Sequence, residues 1–169
     1  MPTAGLLVAL LLAVAGGCTT ALPPAATVPA DTPFAFRDPR EGAPAPAPSP
    51  RESKALDVAV AAIRRGDATA ASRALSVRKD GGAPALRLAR AYLDLLEGRR
   101  DEARSFLAEA TAAHPTWVAA LEAVADLAAD EGETGGALEA YRTLSRLVPS
   151  DARASERART LRASVAASK

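Results

Sequence analysis

The residues that could carry out covalent or acid–base chemistry are few in this chain. Cys18 is the only cysteine and His114 the only histidine, and they stand far apart in the sequence. A single histidine without a cysteine or second histidine beside it is a poor metal site and a poor catalytic base. The carboxylates of Asp130 and Glu131 adjoin Gly132, where a helix is expected to end in solvent. We therefore predict no enzyme activity, no cofactor and no metal site.

The sequence also lacks the common motifs for phosphate binding and hydrolysis. Gly81-Gly82 and Gly135-Gly136 have neither the strand–loop–helix context nor the lysine of a phosphate-binding loop. No G-x-S-x-G or H-E-x-x-H motif occurs. The net charge is +1, with both signs mixed along the chain, so there is no positive electrostatic field to attract nucleic acid. We expect neither a nucleic-acid partner nor a small-molecule substrate.

Cys18 follows a short apolar segment. The run 6–15 is too short to span a bilayer, which needs about 20 residues, but it suits the apolar part of a secretory signal. Small residues precede the cysteine, and the segment resembles a bacterial lipoprotein signal. The resemblance implies that 1–17 are removed and that Cys18 is lipidated. The alternatives are an ordinary signal peptide cut near Cys18 and a free buried thiol.

The residue after the cysteine bears on localisation. Thr19 stands where lipoproteins retained in the inner membrane often have aspartate. By resemblance, this favours a lipid anchor in the outer membrane, with the protein on its periplasmic face. An inner-membrane anchor or secretion is the alternative.

A proline-rich segment follows. Nine of the thirteen prolines lie between residues 22 and 50. Proline fixes φ, removes a hydrogen-bond donor and keeps the preceding residue out of the helical region. We therefore predict that residues 18–52 are a disordered, extended linker that acts as a spacer. Its one apolar patch is Phe34-Ala35-Phe36, whose rings are expected to lie against the domain or in solvent; docking of a partner is the alternative.

A 34-residue repeat appears in the remaining region, 53–169. Prolines become rare after Ser53, and apolar residues recur at helical spacing. Gly98, Ala103, Leu107, Ala110 and Pro115 recur 34 positions later as Gly132, Ala137, Tyr141, Leu144 and Pro149. This pattern predicts helical hairpins with glycine at the turn, small residues where the helices touch, and proline after the second helix.

The repeat is similar to the tetratricopeptide repeat, best over Val118 to Asp151. The resemblance implies an all-α, right-handed solenoid of about three helical hairpins, plus a capping helix at 151–167 that covers the last core. Another hairpin repeat or a plain helical bundle stays open, as does contact of the basic tail helix with a membrane. The expected packing positions are Ala59, Gly66, Ala71, Ala89, Gly98, Ala103, Leu107, Pro115, Leu121, Ala125, Gly132, Ala137, Tyr141 and Pro149.

The middle unit departs from strict 34-residue register, which would bury Arg87, Arg90 and Asp94. Burying unpaired charges costs several kcal/mol each. A shift of two residues places Leu88 and Tyr92 inward and leaves the charged side chains outside. We therefore predict the shifted register.

The resemblance also implies where a partner binds. First-helix residues of such repeats line a concave groove, which here corresponds to Arg90, Asp94, Glu122, Asp126 and Asp130. A groove with this acidic row would select a partner carrying basic residues; the alternative is that Arg90 simply pairs with Glu122 or Asp126 across neighbouring helices. Trp117 is expected to be a hydrophobic plug at a repeat junction rather than a binding hot spot.

These features together predict a membrane-anchored periplasmic scaffold or assembly factor for protein–protein interaction. Its partner would be another envelope protein or peptide, and its contact with the membrane would be through the lipid on Cys18. The alternative is a structural or self-oligomerising lipoprotein that spaces the membrane from the cell wall.

Overall fold

The computed structural model describes residues 34–77 and 82–167, and within them it contains seven α-helices and no strand. The predicted all-α fold class is confirmed. Cys18 and the expected signal sequence lie outside the described residues. No helix in the described part of the chain is long and apolar enough to cross a membrane. The helices are α1 (Pro50–Arg64), α2 (Ala68–Leu75), α3 (Pro84–Leu96), α4 (Arg100–Ala113), α5 (Val118–Asp130), α6 (Thr134–Leu147) and α7 (Ala152–Ala167).

Helix α1 begins three residues before the expected domain boundary at Ser53. Ser49 and Glu52 form a capping box, in which the Glu52 amide donates to Ser49 Oγ and the Ser49 amide donates to Glu52 Oε2, at 3.4 and 2.9 Å. Pro50 takes the first helical position, where its missing N–H would have no partner anyway. The proline-rich segment therefore ends where helix α1 begins, at Pro50.

Short turns join the helices in pairs. Gly66, Gly98 and Gly132 have φ of +73°, +79° and +78°. Only glycine adopts this left-handed conformation without a steric penalty, so each ends a helix and reverses the chain into the next one. The helices of each pair, α1–α2, α3–α4 and α5–α6, pack against each other. Pro115 and Pro149 stand just after the ends of α4 and α6 and are exposed.

Small side chains fill the contacts between helices. Ala59, Ala103, Ala125 and Ala137 are all fully buried. Each helix also contacts the next along the chain, and α1 packs against α3. Of the other predicted packing positions, Ala71, Ala89, Leu107, Leu121 and Tyr141 are buried as well. Pro115 and Pro149 are instead exposed, because they follow the ends of their helices and do not pack between them.

Helix α3 has the shifted register predicted for the middle unit. Leu88 and Tyr92 are buried, and Arg87 is exposed with its guanidinium 4.9 Å from the centre of the Phe106 ring. The tail is helical over 152–167, one residue shorter than expected, and buries Ala154 against α6. Its opposite face is exposed, which suits the end of a stack.

Residues 34–49 differ from the expected disordered linker. Residues 34–43 lie against the helices, with Phe36 and Pro39 buried, whereas most of residues 44–49 are exposed. Proline content suggested a solvated spacer. The rings of Phe34 and Phe36 lie against the domain, one of the two outcomes expected for them, whereas the charge of Arg37 was not considered. These side chains hold residues 34–42, called here the docked segment, onto the surface of α1, α3 and α5, called here the groove.

Candidate functional site

Two buried carboxylates form the floor of the groove. Glu122 and Asp126 lie one turn apart on α5, and each is only 2% exposed. Removing two negative charges from water is costly unless each has hydrogen bonds and a counter-charge. Asp126 accepts from the Tyr141 hydroxyl at 2.6 Å through Oδ1 and from the Ala35 amide at 2.8 Å through Oδ2. Burial is the main cause that raises the pKa of Asp126 to about 6.

Glu122 receives its counter-charge from the docked segment. Its Oε2 accepts a hydrogen bond from Nε of Arg37, and Arg153 of α7 lies 3.5 Å from Oε1. The same Arg37 guanidinium also donates to Glu41, at 2.7 Å, and to Asp151. Burial would lower the pKa of Arg37, but these hydrogen bonds to carboxylates outweigh it and raise the pKa. The charged guanidinium therefore ties the segment to Glu122 in the middle of α5 and to Asp151, the residue before α7.

Phe36 anchors the segment against α1 and α3. It is 5% exposed, its ring meets Tyr92 edge-on with centroids 5.4 Å apart, and Phe34 stacks on it at 5.8 Å. Arg64 donates to the Phe36 carbonyl from Nε and Nη2, at 3.2 and 3.1 Å. The φ of Phe36 is +40°, which is unusual for a bulky residue. Burial and the paired Arg64 hydrogen bonds hold this conformation.

The second half of the segment lies on the start of α5. The indole N–H of Trp117 donates to the Pro39 carbonyl at 3.0 Å, and the Ala119 amide donates to the Glu41 carbonyl at 3.2 Å. The Ala119 amide is one of those at a helix start that have no partner within the helix. A Cβ on Gly42 would lie 2.8 Å from the Val118 nitrogen, so only glycine allows this approach. Trp117 is 1% exposed, as expected for a hydrophobic plug, but its indole N–H also binds the segment, a contact that was not predicted.

The groove therefore makes three kinds of contact with an extended chain. Asp126, Trp117 and Ala119 bind its backbone, Tyr92 packs against an aromatic side chain, and Glu122 with Asp151 holds a guanidinium. Backbone hydrogen bonds combined with side-chain pockets are the usual means of recognising a peptide.

No protein-family model, curated protein or solved structure matches this chain. The function is therefore inferred from the contacts of the groove. Across residues 34–77 and 82–167, no group of three or more His, Cys, Asp or Glu side chains is placed to hold a metal ion.

The structure brings together two of the five groove residues named from the sequence. Glu122 and Asp126 meet under the docked segment. Asp94 instead accepts from Arg99, at the end of α3, and Asp130 pairs with Arg100 of α4. Arg90 donates to the Leu75 carbonyl at 3.0 Å, while Glu122 is paired with cations of the segment and of α7.

Sequence reasoning allowed the rings of Phe34 and Phe36 to lie against the domain, but it missed Arg37 and the place where this segment binds. A signal was present, because α5 is apolar apart from this carboxylate pair and the terminal Asp130, and a buried carboxylate requires a cation. The sequence Phe34-Ala35-Phe36-Arg37 offers both the apolar surface and the charge that this floor requires. Its lack of helical or strand periodicity hid that match.

Proposed function

We propose that the chain is a tetratricopeptide-like interaction module whose concave groove binds an extended peptide. In this structure its own residues 34–42 occupy that groove. The observation that carries the proposal is the pairing of the two buried carboxylates of α5 with one short stretch of chain. Glu122 accepts a hydrogen bond from the Arg37 guanidinium, and Asp126 accepts one from the Ala35 amide. A partner would present the same chemistry, an aromatic side chain followed by arginine in an extended backbone.

Packing supports the solenoid part of this proposal. Three helical hairpins turn at left-handed glycines, the first helices α1 and α3 are neighbours, and α7 covers the last hairpin. Fully buried alanines let such hairpins approach closely. A chain of two-helix units stacked in this way presents its first helices along one surface, where the docked segment lies.

The residues before the docked segment support a membrane-anchored role. The apolar run and Cys18 resemble a lipoprotein signal, so we propose a lipid anchor at the periplasmic face of the outer membrane. The partner would be another envelope protein or peptide with basic residues, and the module would act as a scaffold or assembly factor. Only 15 residues, 19–33, separate Cys18 from the docked segment, which would keep the groove near the membrane.

A peptide added in trans tests the groove. The full chain carrying Phe36→Ala and Arg37→Ala should release its own segment and bind a labelled peptide of sequence 32–43, measured by fluorescence anisotropy. The parent should bind this peptide at least about tenfold more weakly, because a tethered occupant has a millimolar effective concentration.

Two controls make the test specific. The same peptide with glutamate in place of Arg37 should not bind the released groove, and Glu122→Gln in the released background should abolish binding of the original peptide. The proposed groove would be rejected if neither change weakened peptide binding, or if the parent bound the peptide as tightly as the released variant.

A further inference from the structure

Two clefts lie one repeat apart on the surface formed by α4 to α7, and their chemistry differs sharply. The α4–α5 cleft has a volume of about 440 Å³ and is lined mainly by alanine, leucine and valine. The α6–α7 cleft has a volume of about 690 Å³ and is lined mainly by charged and hydroxyl side chains. The lining positions correspond at a spacing of 34: Ala108 to Arg142, Thr111 to Ser145, Ala112 to Arg146, Val124 to Ala158 and Ala128 to Arg162.

The α6–α7 cleft concentrates positive charge. Arg142 and Arg146 lie one turn apart on α6, and Arg159 and Arg162 lie one turn apart on α7 across from them. Glu139 is the one acidic residue among the lining side chains. Arg159 pairs with Glu156, outside the cleft, and Arg142 and Arg162 form no ion pair with any described residue. Even with Glu156 counted beside Glu139, two more positive than negative charges share this cleft.

The end of a helical stack requires a polar face, but not a basic one. On α7 the positions 34 after Leu121, Ala125 and Ala128 are Ser155, Arg159 and Arg162. Mixed charges would make this face polar without repulsion, as on the rest of the surface, where Arg87 pairs with Glu109. Like charges one turn apart destabilise a helix. Their placement around a cleft therefore points to an anionic ligand.

We infer that the α6–α7 cleft binds an acidic segment of a partner protein, whose aspartate or glutamate carboxylates pair with the facing guanidiniums. Arginine suits this role because its planar group binds a carboxylate through two parallel hydrogen bonds. The guanidiniums line a cleft between two helices, a shape that a peptide segment fits. A helix that lies on a membrane needs an apolar, usually aromatic, face, and no aromatic side chain lines this cleft. The cleft is separate from the groove, so this inference goes beyond the proposed function.

A short acidic peptide tests the cleft. The full chain, held in an uncharged detergent, is titrated into a labelled peptide of eight glutamates, and binding is followed by fluorescence anisotropy. Arg142→Glu combined with Arg162→Glu should weaken binding at least about tenfold, since the altered cleft repels carboxylates. The matched control is Arg65→Glu with Arg73→Glu, which makes the same charge change at exposed positions near α1 and α2 and should alter binding less than about twofold.

Competition with an anionic lipid distinguishes an acidic protein segment from a membrane surface as the ligand of the cleft. Short-chain phosphatidylglycerol, added at the same concentration of negative charge, should displace the peptide poorly. Equal or tighter binding of this lipid would replace the acidic segment by a membrane surface and overturn the inference. Equal losses in the cleft and control variants, or no binding of the peptide to the parent, would also overturn it, and neither result bears on the groove.

Discussion

The guanidinium of Arg37 lies on the buried carboxylate of Glu122, 85 positions further along the chain. The cation comes from a segment that precedes the first helix, and the acid comes from the middle of the fifth. Among the described residues, the buried Glu122 carboxylate is paired with Arg37 of the docked segment and with Arg153 of α7, which lies 3.5 Å away. Segment and helices should behave as one cooperative unit as long as this pair is intact.

Removal of Arg37 should destabilise the protein more than removal of another arginine of the segment. Arg37→Ala leaves Glu122 buried without its main partner, so we expect a loss of about 2–4 kcal/mol in the free energy of unfolding. Arg40→Ala removes pairs with Asp38 and Asp57 that face solvent and should cost about 1 kcal/mol or less. Urea unfolding followed by circular dichroism measures both, and equal losses would contradict the buried pair.

Gly42 should tolerate no side chain. A Cβ there would meet backbone atoms of Thr116 and Val118 at 2.9 and 2.8 Å, and its φ of +72° disfavours L-residues. Gly42→Ala should therefore lower the free energy of unfolding by about 1–3 kcal/mol. Gly136→Ala is the control, because it lies in α6 with open space around it and should stabilise by about 0.5–1 kcal/mol. Calorimetric melting temperatures that move in the same direction for both would refute this close approach.

Asp126 should make stability fall as the pH rises through weak acid. Its pKa, 3.8 when exposed, is raised to about 6 by burial, so the folded state binds a proton that the unfolded chain has released. The free energy of unfolding should therefore decrease between about pH 4 and pH 6, by an amount on the order of 3 kcal/mol. The hydrogen bond from Arg40 lowers the pKa of Asp38, which titrates below this window.

Asp126→Asn identifies the source of that pH dependence. The amide does not titrate, so the decrease in unfolding free energy across the window should shrink in the variant. The measurement is urea unfolding of both proteins at a series of pH values. Parallel curves for parent and variant would assign the effect to another group.

The alanine contacts between helices should be intolerant of charge. Ala137 is fully buried where α6 meets α5, so Ala137→Arg should cost several kcal/mol and abolish the cooperative thermal transition. Ala112→Arg makes the same change at an exposed position of α4 and should stay within about 0.5 kcal/mol of the parent. Indistinguishable melts of the two variants would reject the packing.

The helical part of the fold was predictable because its constraints are local and periodic. Alanines at helix contacts, glycines at turns and the displaced register around Tyr92 are all visible as spacings along the chain. Ser49, Pro50 and Glu52 also encode the start of α1 through a capping box, a signal that the proline-rich context concealed.

The occupant of the groove was not predictable in the same way. Its position depends on contacts between Arg37 and Glu122, or Ala35 and Asp126, that are 85 and 91 residues apart. Such pairings leave no period in the sequence, and a segment without regular secondary structure offers no template for placing it. A buried carboxylate requires a cation nearby, but this requirement does not say which residue supplies the cation.

Hydrogen exchange of residues 34–43, followed by mass spectrometry on the full chain, tests the central claim most directly. Docking into the groove should slow exchange of this stretch at least about tenfold relative to the same sequence as a free peptide. Glu122→Gln with Asp126→Asn should restore fast exchange there while amides in α3 and α4 stay protected. Exchange of residues 34–43 in the parent at the rate of the free peptide would contradict a segment held in the groove.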